Sequence, residues 1–460
     1  MPREESLDFL EKHNQHHIIQ HYRRLSPDKQ DLFWENLKGL DLPLVFKLHQ
    51  EFSGENAVAH VPCDIQPAPI ITVPKIPSEL VFQKKACVEG ETLLRENRIA
   101  VLVVAGGQGS RFGFEGPKGI FPVSPVRKKS PFQLFSETVS ALNRRYHAAI
   151  PLLVMTSREN DRTVKDFFRA HHFFGLDSGA VFFFTQEMLP TITAAGSLIL
   201  KDETHLFANP DGHGGSLKAL HKSGLLSMLV KKGFSDLFYC QIDNPLVKIA
   251  EPVFLGYHRM AESEFSLKVL RRRNAAEKIG VYALLDGKPG VIEYSDLAPG
   301  SECLTEREGM RFWAGSIAIH ILSLSFMERL NRQGFSLPYH RAVKVVEAPG
   351  QDEKAKRVTV WKFETFVFDG LSLAARTCCV ETLREEEFAP VKNREGEDSA
   401  EIAAKAISNR FRQWLVKTGR AVVAPDMPVE ISPYYALDKE ELATKLKGKT
   451  LVIKEGTYLE

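Results

Sequence analysis

The sequence predicts an α/β protein built on an open, doubly wound sheet, mixed but mainly parallel, and three observations carry that expectation. Apolar runs recur at IAVLVVA (99–105), PLLVMTS (151–157), AVFFFTQ (180–186) and DLFYCQID (236–243). Each run is continuously apolar rather than alternating, the mark of a strand buried on both faces. Between them lie SPFQLFSETVSALNRRYH, DRTVKDFFRAHHFF and GSLKALHKSGLLSMLVKKG, each with an apolar stripe at helical spacing. Parallel neighbours need a crossover, and interleaved helices supply it.

The other elements follow in chain order. Residues 1–60 read as helices, with ESLDFLEKH and SPDKQDLFWENLKGL carrying apolar residues three and four apart and Ser26-Pro27 marking a helix start. Prolines 62, 67, 69, 74 and 77 then crowd a stretch that reads as a surface connector, because each fixes φ and removes an N–H. Before the helix at 131, Ser130 is an N-cap, Pro131 the first helical residue, and Gln133 the partner in a capping box.

After Asp243 the segments SLKVLRRR, IGVYALLDGKPGVIEYSDL (a hairpin), WAGSIAIHIL and RVTVWKFETFVF are β-rich and are expected to extend the far half of the sheet. Short strands and turns over 425–460 suggest a small C-terminal β-rich domain. The expected division is a helical N-terminal region and linker (1–95), the α/β domain (96–395), and a C-terminal helix with its small domain (396–460).

Composition limits the partners. Sixty basic and 58 acidic side chains give a formal charge of +2, which offers no general grip on nucleic acid or an anionic membrane, so neither is expected as a partner. Six cysteines without a C-x-x-C pair suit a reducing compartment, and none of the fifteen histidines forms a chelating pair. The first residues lack the apolar core of a signal peptide, and the longest apolar runs are too short to span a bilayer. A cytoplasmic protein, monomeric or weakly oligomeric, is the expectation.

The chemistry is concentrated in AGGQGSRFGFEGPKG (105–119), which follows a buried strand directly. Gly106, Gly107 and Gly109 let main-chain N–H groups approach a base or a phosphate, and Arg111 and Lys118 add positive charge. Phe112 stands where the dinucleotide fingerprint needs its last glycine, and Pro117-Lys118-Gly119 is not the Gly-Lys-Ser/Thr of a Walker loop. A glycine-rich turn can also be a tight connection and nothing more.

This loop resembles the nucleotide-binding signature of the UDP-sugar pyrophosphorylases, the eukaryotic-type UDP-N-acetylglucosamine and UDP-glucose uridylyltransferases. FFTQEMLP, NPDGHGGSLKAL, YCQIDNPLVKIAEPVFLGY, WAGSIAIH, LPYHRAVK, KFETFVFD and FAPVKN match in order, so the likeness covers most of the chain. It implies a Rossmann-like nucleotidyltransferase domain that joins UTP and a sugar 1-phosphate, releases pyrophosphate and UDP-sugar, and uses Mg2+. It further implies that Gly106, Gly107, Gln186, Gly212, His213 and Gly214 surround the uridine and that Asp243 binds the metal. Arg111, Lys118 and Lys392 would face the phosphates, and Gly280, Glu293, Tyr294 and Ser316 the sugar.

On residue type alone, Gln186 could be an ordinary polar strand end and Asp243 a cap for the following turn. N-acetylglucosamine 1-phosphate is the expected acceptor, with glucose 1-phosphate the alternative. Trp313 and Ser316 replace the two asparagines usual in the acetylhexosamine branch, and His213 stands where that branch has asparagine. A UDP-sugar binding protein of weakened catalysis is a further alternative.

Overall fold

The computed structural model describes residues 3–54, 62, 64–293, 305–306, 309–349, 356–422 and 427–460. The chain divides into two compact units that interleave along the sequence. The larger comprises Pro62–Thr185, Leu220–Gly334 and Gly370–Glu460, the smaller Met1–Val61, Gln186–Ala219 and Phe335–Asp369.

The larger unit is built on a ten-stranded sheet. Its main path runs through strands 65–66, 281–285, 314–323, 236–241, 99–104, 152–156 and 181–185, while 265–271 joins 314–323 to 377–381 and 288–292 pairs with 281–285. Strand Ile99–Val104 lies parallel between Leu152–Thr156 and Asp236–Gln241, whereas Ala314–Ser323 runs antiparallel beside the latter. The four expected parallel strands therefore form, and all five residues of Leu152–Thr156 are buried. Burying a Phe side chain of the kind seen at Phe132 and Phe168 stabilises by about 2–3 kcal/mol.

Helices cover the sheet. Ser130 Oγ accepts from Gln133 N–H at 3.2 Å, as a cap should, but the Gln133 side chain donates to Glu137 at 2.8 Å and closes no capping box. The expected single helix over 215–233 is two, Gly215–Lys222 and Leu225–Lys231, because Gly224 at φ +77° ends the first. Helices Pro77–Arg95 and Pro252–Met260 touch main chain to main chain: a Cβ on Gly256 would lie 1.6 Å from the Ala86 carbonyl oxygen. The hairpin 281–292 turns on Asp286 and Gly287, at φ +48° and +78°, the geometry a two-residue connection requires.

The C-terminal part holds helix Ala400–Lys417 and short strand pairs, 421–422 with 451–452 and 429–431 with 457–459. Trp414, Ile431 and Leu442 share one apolar cluster with Phe112 of the glycine-rich loop and Val391.

The smaller unit packs helices Arg3–Lys12, His16–Arg24, Pro27–Lys38 and Leu42–Ser53 around Ile18, Phe33, Val45 and Phe363. Here RVTVWKFETFVF departs from expectation. Strand Lys356–Glu364 does not extend the large sheet; it pairs antiparallel with His340–Ala348, Val343 opposite Trp361. A partner a few residues upstream closes a short loop, which costs less entropy than a return to a distant sheet edge.

Candidate active site

In the larger unit two adjacent parallel strands deliver the first group of residues. Val104 stands opposite Gln241, so the chain leaves both strands at one carboxyl edge, where open α/β sheets present ligand-binding loops. From one comes the glycine-rich loop and from the other Asp243.

The loop is held by its own backbone. Gly109 N–H donates to the Gly116 carbonyl at 2.8 Å and Lys118 N–H to that of Gly107 at 3.2 Å. Phe121 packs edge-to-face on Phe112 and Phe114, with ring centroids 5.2 Å apart in both pairs. A Cβ on Gly109 would lie 2.9 Å from the Phe114 ring, so packing demands that glycine. At Gly107 a Cβ would meet nothing nearer than 3.6 Å, which is ordinary contact. What glycine supplies there is bare, exposed main chain.

Lys118 Nζ donates to the Val391 carbonyl at 3.4 Å. Burial pushes the Lys118 ammonium down, Asp243 opposes that shift, and Arg111 and Lys392 add to it. The structure thus brings two further cations and one carboxylate into electrostatic reach of Lys118. Asn244, rather than Asp243, serves the local backbone, accepting from Leu246 N–H at 3.4 Å and Ala389 N–H at 3.1 Å.

Lys392 begins a tight loop closed when its N–H donates to the Asp398 carbonyl at 2.7 Å. Burial raises the Asp398 carboxyl, with Lys392 and Arg273 pulling it back. Beneath this segment lies a buried ion network. Lys268 Nζ bonds both Glu387 oxygens, at 2.6 and 2.7 Å, and the Glu387 carbonyl accepts from Asn244 Nδ2 at 2.8 Å.

The residues of this unit expected at the sugar also gather, apart from one. Ser316 N–H donates to the Gly280 carbonyl at 2.8 Å, and a Cβ on Gly280 would stand 3.8 Å from Glu293 Oε1. Arg271 lies over the Trp313 ring at 4.3 Å. Tyr294 lies outside the described residues.

In the smaller unit Gln186, Gly212, His213 and Gly214 are grouped near Thr365. Gln186 Nε2 donates to Asp211 Oδ1 at 3.1 Å and to the Gly212 carbonyl at 2.6 Å. Gly212 has φ +84°, and a Cβ on it would lie 2.3 Å from the Thr365 carbonyl oxygen; on Gly214 it would lie 2.8 Å from Thr365. These glycines are required by the protein's own backbone, whatever ligand approaches. His213 Nδ1 accepts from Val367 N–H at 3.2 Å, which fixes a neutral ring with its proton on Nε2. Burial drives its pKa down to about 4.

A family model described as UTP--glucose-1-phosphate uridylyltransferase matches residues 57–444. The chain belongs to that family. The UDP-N-acetylglucosamine pyrophosphorylase of Saccharomyces cerevisiae is 31% identical over 385 residues, spanning 81% of this chain and 80% of that protein. The human UDP-N-acetylhexosamine pyrophosphorylase-like protein 1 is 30% identical over 477 residues, 96% of this chain and 94% of that one. In fold, the chain resembles the crystal structure of the uridine diphosphate N-acetylglucosamine pyrophosphorylase of Trypanosoma brucei in complex with inhibitor. That likeness has TM-score 0.85 and 24% identity, and covers 99% of each chain.

The uridylyltransferase holds neighbours of these residues that the sequence did not announce. Asp211 reads in NPDGHGG as a turn residue, and Asp398 as one acid in a charged run. The Lys268–Glu387 pair spans 119 positions, and neither residue has a local signature.

Proposed function

We propose that the enzyme joins UTP to N-acetylglucosamine 1-phosphate, releasing pyrophosphate and UDP-N-acetylglucosamine, with magnesium as cofactor. The observation that carries the reading is the gathering of Arg111, Lys118 and Lys392 with Asp243 at the carboxyl edge of the sheet. The sugar phosphate oxygen attacks the α-phosphorus; the new P–O bond forms as the α–β bridging bond breaks, and pyrophosphate departs with the electron pair. No protein nucleophile is needed, so the residues act by positioning and by neutralising charge. Lys118 and Arg111 stabilise the negative charge that grows on the leaving pyrophosphate. Lys392 holds phosphate oxygens from the opposite segment, and the bare main chain at Gly107 admits the nucleotide.

Magnesium suits the donors. Asp243 offers hard oxygens beside phosphate-directed cations, and Mg2+ is commonly held by one or two carboxylates together with substrate oxygens. Among the described residues no group of three His, Cys, Asp or Glu could hold a metal ion, so the phosphates would complete the coordination. When bound, the ion would neutralise charge between neighbouring phosphates.

Relatives named for UDP-N-acetylglucosamine support the acceptor. Trp313, Ser316 and His213 favour glucose 1-phosphate as the second reading. The near-neutral charge accompanies a cytoplasmic, monomeric or weakly associating protein without nucleic-acid or membrane partners. Among the described residues no helix is long and apolar enough to cross a membrane. Pyrophosphate release from UTP, magnesium and a panel of sugar 1-phosphates tests the proposal, with N-acetylglucosamine 1-phosphate expected fastest. Tight uridine-nucleotide binding with no pyrophosphate from any sugar would overturn it in favour of a binding protein.

A further inference from the structure

Uracil and cytosine differ along one edge. Uracil presents an N3–H donor, whereas cytosine presents a bare N3 acceptor beside an amino group. A free glutamine amide tells them apart poorly, since rotation about its last bond exchanges oxygen and nitrogen. In this chain the exchange is blocked. Gln186 is 6% exposed, and its Nε2 donates to Asp211 Oδ1 and to the Gly212 carbonyl. Burial raises the Asp211 carboxyl to about 6, so at neutral pH it is mainly ionised and, like the Gly212 carbonyl, has no proton to return. A flipped amide would then set oxygen against oxygen at both contacts. Only Oε1, an acceptor, is left to face a ligand.

Asp211 is itself fixed. It is fully buried, and its carbonyl accepts from Thr365 N–H at 2.8 Å and from Thr365 Oγ1 at 3.0 Å. Its carboxylate occupies the space a side chain would take at residue 215: a Cβ on Gly215 would lie 1.9 Å from Asp211 Oδ1. The glycine after DGHG is thus the vacancy that admits the carboxylate. Burying a carboxyl group here has a cost, which a mere turn residue would not require.

We propose that Asp211 is a positioning residue that locks the Gln186 amide with its oxygen outward, and that this lock makes the enzyme prefer uracil to cytosine nucleotides. The inference deepens the functional reading above and rests on Gln186 facing the base. An acceptor-only group pairs with the N3–H of uracil and opposes the lone pair at N3 of cytosine. Discrimination of this kind is strong when a buried polar group would otherwise be left unpaired.

The test compares kcat/KM for UTP and CTP, together with calorimetric binding of both nucleotides, in wild type, D211A, Q186E and Q186E/D211N. In D211A only the Gly212 carbonyl still opposes the flipped amide, so the UTP/CTP ratio is expected to fall about 10-fold, the loss of one of the two contacts that hold the oxygen outward. A purely structural defect would lower both nucleotides alike and keep the ratio, and that result overturns the proposal. Q186E sets carboxylate oxygens against both Asp211 and the Gly212 carbonyl and should weaken both nucleotides. Adding D211N supplies an N–H donor at the first contact only and should recover part of the uracil preference, about 3-fold over Q186E alone. If D211A fails to fold, this rescue decides: no gain in the double variant overturns the lock. Binding separates the two readings, since a UTP preference that disappears in D211A while no variant turns over would sustain the lock and overturn only the activity.

Discussion

The N–H of Val391 donates to the carbonyl of Asp243 at 2.7 Å, and the carbonyl of the same Val391 accepts from Lys118 Nζ at 3.4 Å. One residue therefore links the main chain of Asp243 to the Lys118 ammonium, and Lys392 follows it immediately. Charges held by shared backbone need little reorganisation when substrate arrives.

Replacing Lys118 with methionine keeps most of the unbranched side chain and removes its charge. Turnover in a pyrophosphate-release assay is expected to fall about 100- to 1,000-fold, the range seen when one stabilising donor is lost. Thermal melting should move little, because the ammonium is held against its own desolvation.

Asp243→Asn removes the proposed magnesium ligand while keeping the main-chain bond to Val391. Chelation with EDTA should stop the wild-type enzyme and added magnesium should restore it, whereas the variant should stay at least about 100-fold slower across the magnesium titration. Wild-type activity that survives thorough chelation would remove the metal from the scheme.

Lys268→Met leaves the Glu387 carboxylate buried without its partner, and urea denaturation should register a loss of about 3–5 kcal/mol. The double variant Lys268→Met/Glu387→Gln should recover part of that loss, because the stranded charge is gone.

Acid should weaken the protein through His213. The folded ring titrates near pH 4 and the unfolded ring near 6.5, so the unfolded chain takes up the proton first. Stability present above pH 6.5 is lost as pH falls toward 4, with a slope of at most about 1.4 kcal/mol per pH unit from this group. Melting curves of wild type and His213→Asn across that window should show the steeper decline in wild type.

Much of this molecule was legible before its coordinates. Three of the parallel strands were readable because burial on both faces leaves an unbroken apolar run. Val181–Thr185, last in the sheet's order and only partly buried, was readable from its apolar run alone, and Asp243 because it follows the strand Asp236–Gln241 by two residues. The strand 356–364 was readable as a strand but not as half of a separate ribbon, since alternation reports a pleat and says nothing of its partner. Lys392 stood out only through family likeness, because a lysine in a loop has no periodicity to betray it. Asp211 went unread for a different reason: beside glycines an aspartate signals a turn, and its grip on Gln186 depends on the absence of a side chain at residue 215.

The interleaving of the two units bears on how the chain comes off the ribosome. The first 61 residues belong to a body whose last strand ends at Glu364, so the four leading helices emerge well before residues such as Leu189, Ile192 and Phe363 that share their apolar cluster with Val45 and Phe46. Synthesis delivers the N-terminus first, so these helices precede their partners at 189–206, and Phe363 joins them only near the end. A truncation just before residue 335 removes Trp361 and Phe363 from the cluster around the first helices while leaving Leu189, Ile192, Leu198 and Leu206 in it.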